Sequence, residues 1–275
     1  MLSKTQAQES SGSERHNTHS FFLREPQWSS VSSVLKTFFC DIDTNPQQNR
    51  QPPMADTVFH PLDRDGIAAR IARDIPEGWF VNLGIGIPTK VSDFMPPDRE
   101  VIFHAENGVI GIGPAPDEAS INPYLVNAGV QPISLITGAA LVHHADSFAI
   151  ARGGHLDLCV LGAFEVAENG DIANWARAPD EPVKQVGGAM DLAVGAKRLW
   201  VAMEHSTKAR GQDTGGSRIR KLCSYPLTAK GVVKRVYTDL AVLEVTPRGF
   251  AVLDMIPGMT RDILQARTEA ELLWP

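Results

Sequence analysis

The sequence predicts an α/β protein with an open, largely parallel sheet flanked by helices, carried by residues 54–275 behind a disordered extension of residues 1–53. Three observations lead there: short apolar runs that read as strands, short segments of helical period between them, and glycine-rich turns where one gives way to the other. A chain of 275 residues has room for one large domain or two small ones with an ample core.

Residues 1–53 differ in kind from the rest of the chain. Ser, Gln, Asn and Thr dominate, and apolar residues come in short bursts such as Phe21-Phe22-Leu23 and Val34-Leu35, a composition that predicts disorder. A mitochondrial transit peptide should be rich in Arg and poor in acids, yet Glu9, Glu14, Glu25, Asp41 and Asp43 are scattered among few arginines. Met54 stands just before the ordered pattern begins. We expect it to be the natural start, and an intact mass from the native host that includes residue 1 would end that expectation.

The N-terminus lacks the charged, apolar and small-residue order of a signal peptide, and no run of about 18 apolar residues suits a membrane span. A net charge of -6 and a pI near 5.8 argue against a nucleic-acid or anionic-membrane partner. Cys40, Cys159 and Cys223 are far apart and in no CxxC or Cys/His ligand spacing, so reduced thiols and a cytoplasmic location are expected.

From Asp63 the pattern is helical: Ile67, Ala68, Ile71, Ala72 and Ile75 recur at spacings of three and four, with Pro76 as the stop. Trp79-Phe80-Val81-Asn82-Leu83 reads as a short buried strand, followed at once by Gly84-Ile85-Gly86-Ile87-Pro88, where Pro88 suits the first turn of a helix. A strand, a glycine turn and a helix start together place backbone amides toward an anionic ligand, although two glycines also make an ordinary tight connection. Asn82 is the sharper feature. An amide at the end of a buried strand must find partners, and it could donate to a carbonyl oxygen during acyl transfer.

The run Val101-Ile102-Phe103 then delivers the chain to Glu106. Gly108, Gly111, Gly113, Pro114 and Pro116 are expected to hold the backbone in turns beyond it, continuing neither strand nor helix. Glu106 therefore sits at the lip of a strand, where ligands of open α/β sheets collect. A carboxylate acts as a nucleophile when it is partly desolvated and when glycine amides can approach a developing oxyanion. It can equally cap a turn or pair with a cation.

Residues 122–129 read as a loop and 132–137 as a strand. His143-His144-Ala145-Asp146 opens a helix through Arg152, with Asp146 expected as its N-terminal cap. Adjacent histidines point to different sides, and no third ligand recurs at a zinc spacing, so no metal is expected. Gly153-Gly154-His155 breaks that helix, and residues 156–161 form the clearest buried strand.

Glu168-Asn169-Gly170-Asp171 is a hairpin signal between residues 164–166 and 172–175. A proline-bearing loop, residues 179–182, leads to Val186-Gly187-Gly188-Ala189-Met190-Asp191, before a helix expected over 192–196 with exposed amides at its start. Residues 198–205 read as a strand ending in polar residues, and 208–216 as a flexible loop carrying Lys208 and Arg210. Strands follow at 232–236, 240–245 and 250–254, and Thr260 caps a last helix.

Six motifs, read together, carry a family resemblance: Val81-Asn82-Leu83-Gly84-Ile85-Gly86-Ile87-Pro88, Ala105-Glu106-Asn107-Gly108, Gly111-Ile112-Gly113-Pro114, Arg152-Gly153-Gly154-His155-Leu156-Asp157, Gly187-Gly188-Ala189-Met190-Asp191 and Met203-Glu204-His205. In this order and spacing the chain from residue 58 to 275 resembles the beta subunit of the 3-oxoacid (class I) CoA-transferases. Within the family, His143-His144-Ala145-Asp146-Ser147-Phe148, Leu161-Gly162-Ala163-Phe164-Glu165-Val166 and residues 237–247 look most like members acting on 3-oxoadipate. Those acting on acetoacetate are similar enough to remain the alternative.

The resemblance implies a glutamate nucleophile at the position of Glu106, and ping-pong transfer of CoA from succinyl-CoA to a 3-oxo acid through a glutamyl-CoA thioester. Asn82 and the amides of Gly187, Gly188 and Ala189 would stabilise oxyanions and position substrate, and Gly84, Gly86, Asn107 and Gly108 would serve CoA or the loops around it. It implies no metal or organic cofactor, CoA thioester being a substrate, and an alpha subunit as partner in a heteromer. A dicarboxylic acceptor should need an extra cation, for which Arg152, Lys208 and Arg210 are candidates by charge. The same broad fold serves sugar-phosphate isomerases and effector-sensing domains, so a ligand sensor is the competing class.

Overall fold

The computed structural model of the chain describes residues 59–178, 185–207 and 215–275. The extension 1–53, the start at Met54, the loop 179–182, and Lys208 and Arg210 all lie outside the described residues.

Helix α1 (Arg64–Asp74) begins where Asp63 accepts from the Gly66 amide at 2.7 Å and buries Ile67, Ala68, Ile71 and Ala72. This is the face that the spacing of apolar residues predicts. Strand β1 (Phe80–Leu83), a 3-10 helix (Pro88–Phe94), β2 (Ile102–Ala105), β3 (Val109–Ile112) and β4 (Leu135–Leu141) follow. After α2 (His144–Arg152) come β5 (Leu158–Gly162), β6 (Glu165–Ala167), β7 (Ile172–Ala173), α3 (Ala189–Gly195), β8 (Leu199–Ala202) and β9 (Ile219–Arg220). Strands β10 (Val233–Tyr237), β11 (Ala241–Thr246) and β12 (Gly249–Met255), helix α4 (Arg261–Ala266) and β13 (Leu272–Leu273) complete the described chain.

Ten strands form one sheet in the order β13-β12-β11-β10-β8-β5-β1-β2-β3-β4. Its centre, β10-β8-β5-β1-β2, is all parallel. Antiparallel hairpins extend both edges, β2-β3-β4 on one side and β10-β11-β12 on the other. Strands β6, β7 and β9 form a small second sheet.

Two cores cover the main sheet, and the period of two along each strand divides its residues between them. Leu158 and Val160 pack with α1 on one face, while Cys159 and Leu161 pack with Ala151, Leu192 and Leu264 of α2, α3 and α4 on the other. Each fully buried aliphatic side chain contributes about 1.5–3 kcal/mol.

Several expectations need correction. Residues 109–112 continue as strand, because Val109 and Ile112 are buried and Gly111, at φ 84°, absorbs a register shift between Ile110 and Ile112. The strand expected over 132–137 is displaced to β4: Pro132 makes only an isolated bridge to Val126, and the Ser134 hydroxyl donates to Pro114 O at 2.6 Å. Asp146 does not cap α2. His143 does, its Nδ1 accepting from the Ala145 amide at 3.1 Å, which leaves Asp146 in the first turn. Helix α3 starts three residues earlier than expected, with Gly188 at its N-cap. Strands β9 and β13, two residues each, leave no periodicity to read.

Candidate active site

The parallel strands β2, β1, β5 and β8 end on one edge of the sheet. A cavity of about 490 Å³ lies over these ends. Glu106 lines it together with Asn82, Gly84, Gly86, Gly187, Gly188 and Ala189, residues drawn from separate segments of sequence.

Glu106 follows β2 directly, in the tight turn to β3 that the Gly108 amide closes on Ala105 O at 3.0 Å. Its carbonyl accepts from His144 Nδ1 at 3.0 Å, and its side chain is half-buried. The carboxylate lies against Gly188, so close that a methyl group there would overlap Glu106 Oε2 and the Phe148 ring. Burial raises the Glu106 pKa above its ordinary value, opposed by the nearby His144. A carboxylate that has lost part of its hydration is a more reactive oxygen nucleophile when ionised.

Gly187, at φ 56°, turns the chain into α3. The Ala189 amide donates to Val186 O at 3.3 Å, whereas those of Gly187 and Gly188 meet no protein acceptor among the described residues. Gly84 packs closely on β5: its amide donates to Val160 O at 2.9 Å, and an added Cβ would come within 2.8 Å of the movable Leu161 Cδ2 and 3.0 Å of the Val160 carbonyl oxygen. Gly86 adopts φ 99°.

Asn82 is 1% exposed, and its amide is already engaged. Nδ2 lies 3.0 Å from His104 Nδ1 and 3.2 Å from His104 O, while Oδ1 accepts from Cys159 Sγ at 3.4 Å. An amide nitrogen only donates, so His104 Nδ1 accepts and the ring proton sits on Nε2. Nε2 then donates to Ser147 Oγ at 2.8 Å, and that hydroxyl donates to Ala105 O at 3.3 Å. This chain of donors ends on the peptide next to Glu106, and it ties Asn82 to the backbone beside that residue rather than presenting a free donor. Burial pushes the His104 pKa down to about 4, so the ring is neutral at neutral pH.

The sequence reading missed His104 and Ser147. Their partners are 22 and 43 residues away along the chain; the one available signal was an imidazole inside an apolar strand.

Asn107 and Gly108 do not line the cavity. Asn107 Nδ2 donates to Val126 O at 2.8 Å, and Gly108, at φ 107°, lets the turn approach Val142 O where a Cβ would collide. Both hold the turn in place. Arg152 is likewise spent on structure, in a two-point contact with Asp191 at 2.9 and 2.8 Å that joins α2 to α3. Among the described residues, the cations that line the cavity are Arg64 and Arg218, neither anticipated from sequence. Among the described residues no group of three or more His, Cys, Asp or Glu could hold a metal ion, and no helix is long and apolar enough to cross a membrane.

A model of the family described as coenzyme A transferase matches residues 64–266. The chain belongs to the coenzyme A transferase family. It is 46% identical over 215 residues to the B subunit of the 3-oxoadipate CoA-transferase of Acinetobacter baylyi, a match covering 78% of this chain and 97% of that one. It is 45% identical over 208 residues to the B subunit of the succinyl-CoA:3-ketoacid coenzyme A transferase of Helicobacter pylori, covering 76% of this chain and 97% of that one.

This family member also shares the fold of an Escherichia coli O157:H7 acyl-CoA transferase crystal structure, at TM-score 0.60 and 19% identity. That match covers 79% of this chain and 43% of the other, so the present chain spans less than half of that polypeptide. The family and fold expected from the six motifs are those found, and the chain is a CoA-transferase of the B-subunit type.

Proposed function

We propose that the chain is the beta subunit of a two-subunit CoA-transferase that moves CoA from succinyl-CoA to 3-oxoadipate, with Glu106 as the nucleophile. The observation that carries this reading is the half-buried Glu106 carboxylate seated against Gly188 in the cavity at the strand ends. The Glu106 carboxylate attacks the succinyl thioester carbonyl, the C–S bond breaks, and CoA thiolate leaves a mixed glutamyl-succinyl anhydride. The thiolate then attacks the glutamyl carbonyl, succinate departs with the C–O electron pair, and a glutamyl-CoA thioester remains. 3-Oxoadipate reverses both steps, its carboxylate displacing thiolate and the thiolate then taking the oxoadipyl group.

Each addition places negative charge on a carbonyl oxygen, and the amides of Gly187 and Gly188, which meet no acceptor among the described residues, are donors that suit it. Asn82 would join them only by releasing His104. Binding energy from the remote parts of CoA would lower the later barriers. The scheme needs no metal and no prosthetic group. The relatives' designation as B subunits supports an alpha-type partner, with turnover requiring both chains in a cytoplasmic heteromer.

Treating the reconstituted pair with succinyl-CoA, trapping with hydroxylamine or borohydride and mapping peptides by mass tests this. Modification at Glu106, absent in Glu106→Ala, is expected; a clean Glu106 peptide would favour a ligand sensor instead. The near-equal identity to the succinyl-CoA:3-ketoacid relative supports acetoacetate as a second reading of the acceptor. Comparing kcat/KM for the two acids decides between them.

A further inference from the structure

We propose that Arg218 binds the carboxylate farthest from the reacting carbonyl, and thereby selects dicarboxylic acyl groups over acetoacetate. This rests on Glu106 being the site of transfer. The backbone fixes Arg218 firmly. Its amide donates to His205 O at 2.9 Å just beyond β8, and its carbonyl accepts from the Val166 amide at 3.0 Å in the small sheet.

The side chain is half-buried and lines the cavity that holds Glu106. Among the described residues it makes no hydrogen bond and no ion-pair contact. Its charge reaches Asp239 only across a gap, lowering that carboxyl slightly against the rise that burial causes. Glu204 on the same wall has an interaction of its own. Other arginines are spent on protein carboxylates: Arg70 on Asp254, Arg152 on Asp191, Arg220 on Glu269. A partly desolvated guanidinium left facing a substrate cavity is matched in charge and fork geometry by one carboxylate.

Its placement fits a short diacid. Glu106 follows β2, and Arg218 is hydrogen-bonded beside the end of β8, three strands along in the order β2-β1-β5-β8. At the usual spacing this is a lateral step of about 14 Å between backbones. A succinyl or 3-oxoadipyl group activated at Glu106 would point its free carboxylate along that step. In a ping-pong exchange both acids occupy this place in turn, so one cation serves donor and acceptor alike. Acetoacetate ends in a methyl group and gains nothing from it.

The test uses the chain co-purified with its partner subunit, comparing Arg218→Gln and Arg218→Lys with wild type. With acetoacetyl-CoA as a donor free of a distal carboxylate, and isotope-labelled acetoacetate so that its degenerate exchange is read as label entering the thioester, Arg218→Gln should lower the ratio of kcat/KM for 3-oxoadipate over acetoacetate by roughly 10- to 100-fold, mainly through KM. Arg218→Lys, which keeps the charge but not the fork, should recover part of the ratio and shows the effect even if the Gln variant folds poorly. An unchanged ratio overturns the proposal, whether rates hold or fall together; a common fall would assign Arg218 to CoA or to the fold. Trapping of Glu106 by acetoacetyl-CoA is measured alongside, so a failure of the nucleophile itself appears separately, as no labelling in wild type.

Discussion

The contact between Gly188 and Glu106 is where one residue's size bears most directly on the proposed chemistry. Gly188 has φ -80°, which any residue adopts, so nothing in its backbone demands glycine. The demand is steric, from Glu106 Oε2 on one side and the Phe148 ring on the other. Gly188→Ala should therefore leave the fold nearly intact yet displace the carboxylate, lowering kcat by about 10²-fold or more, since positioned attack tolerates little misplacement. Steady-state kinetics beside a denaturation curve checks this; wild-type kcat in the variant would place the nucleophile elsewhere. The place of Glu106 at a strand end was legible in sequence because an apolar run ending in an acid and a glycine turn is a local pattern. His104, Ser147 and Arg218 were not, since their meaning depends on what lies across the sheet. A histidine in an apolar strand reads as ordinary core until its two ring nitrogens are seen to be matched by Asn82 and Ser147.

At the scale of elements, what could be read depended on whether local geometry decided the outcome. Helix α1 shows apolar periodicity, an Asp cap and a proline stop, and it forms as read. Strand β3 was hidden by the glycine within it and those on either side, which look like turn formers until Gly111 is recognised as the bulge of an edge hairpin. The start of α2 turned on a choice between two caps, and the imidazole of His143 took the place expected of Asp146. His143→Ala should cost about 0.5–2 kcal/mol in urea denaturation, the usual loss for a cap. Asp146→Ala should cost less, because Asp146 contributes only a favourable charge in the first turn. The reverse order would make Asp146 the cap after all. This matters for the site because α2 supplies Ser147, Phe148 and the His144 ring that holds the Glu106 carbonyl.

For the molecule as a whole, the parallel centre follows from strands alternating with helices, whereas the ten-strand order and the edge hairpins depend on pairings that no local pattern specifies. The same long-range packing buries two imidazoles and sets how stability responds to acid. His104 and His205 are both fully enclosed, and burial pushes each down to about 4 from an ordinary value of 6.5. His205 bridges Thr238 at 3.1 Å and Thr268 at 2.9 Å, linking the end of β8 to the β10-β11 turn and to the residues after α4. Both rings are neutral above the unfolded value, so their contribution is fully present there. As pH falls from about 6.5 toward 4 the unfolded chain takes up protons that the folded chain refuses, and stability is lost by a few kcal/mol per ring. Glu106 and Asp239, with pKa values raised by burial, partly offset this as they protonate. Against a total of about 5–15 kcal/mol, two such rings are enough to bring acid unfolding to mildly acidic pH. His205→Gln removes one titrating group; it should be less stable than wild type at pH 7, yet lose less between pH 6.5 and 4.5, with a slope shallower by up to one proton. Urea midpoints across that range would show it, and parallel curves for the two proteins would mean that His205 is not protonated on unfolding.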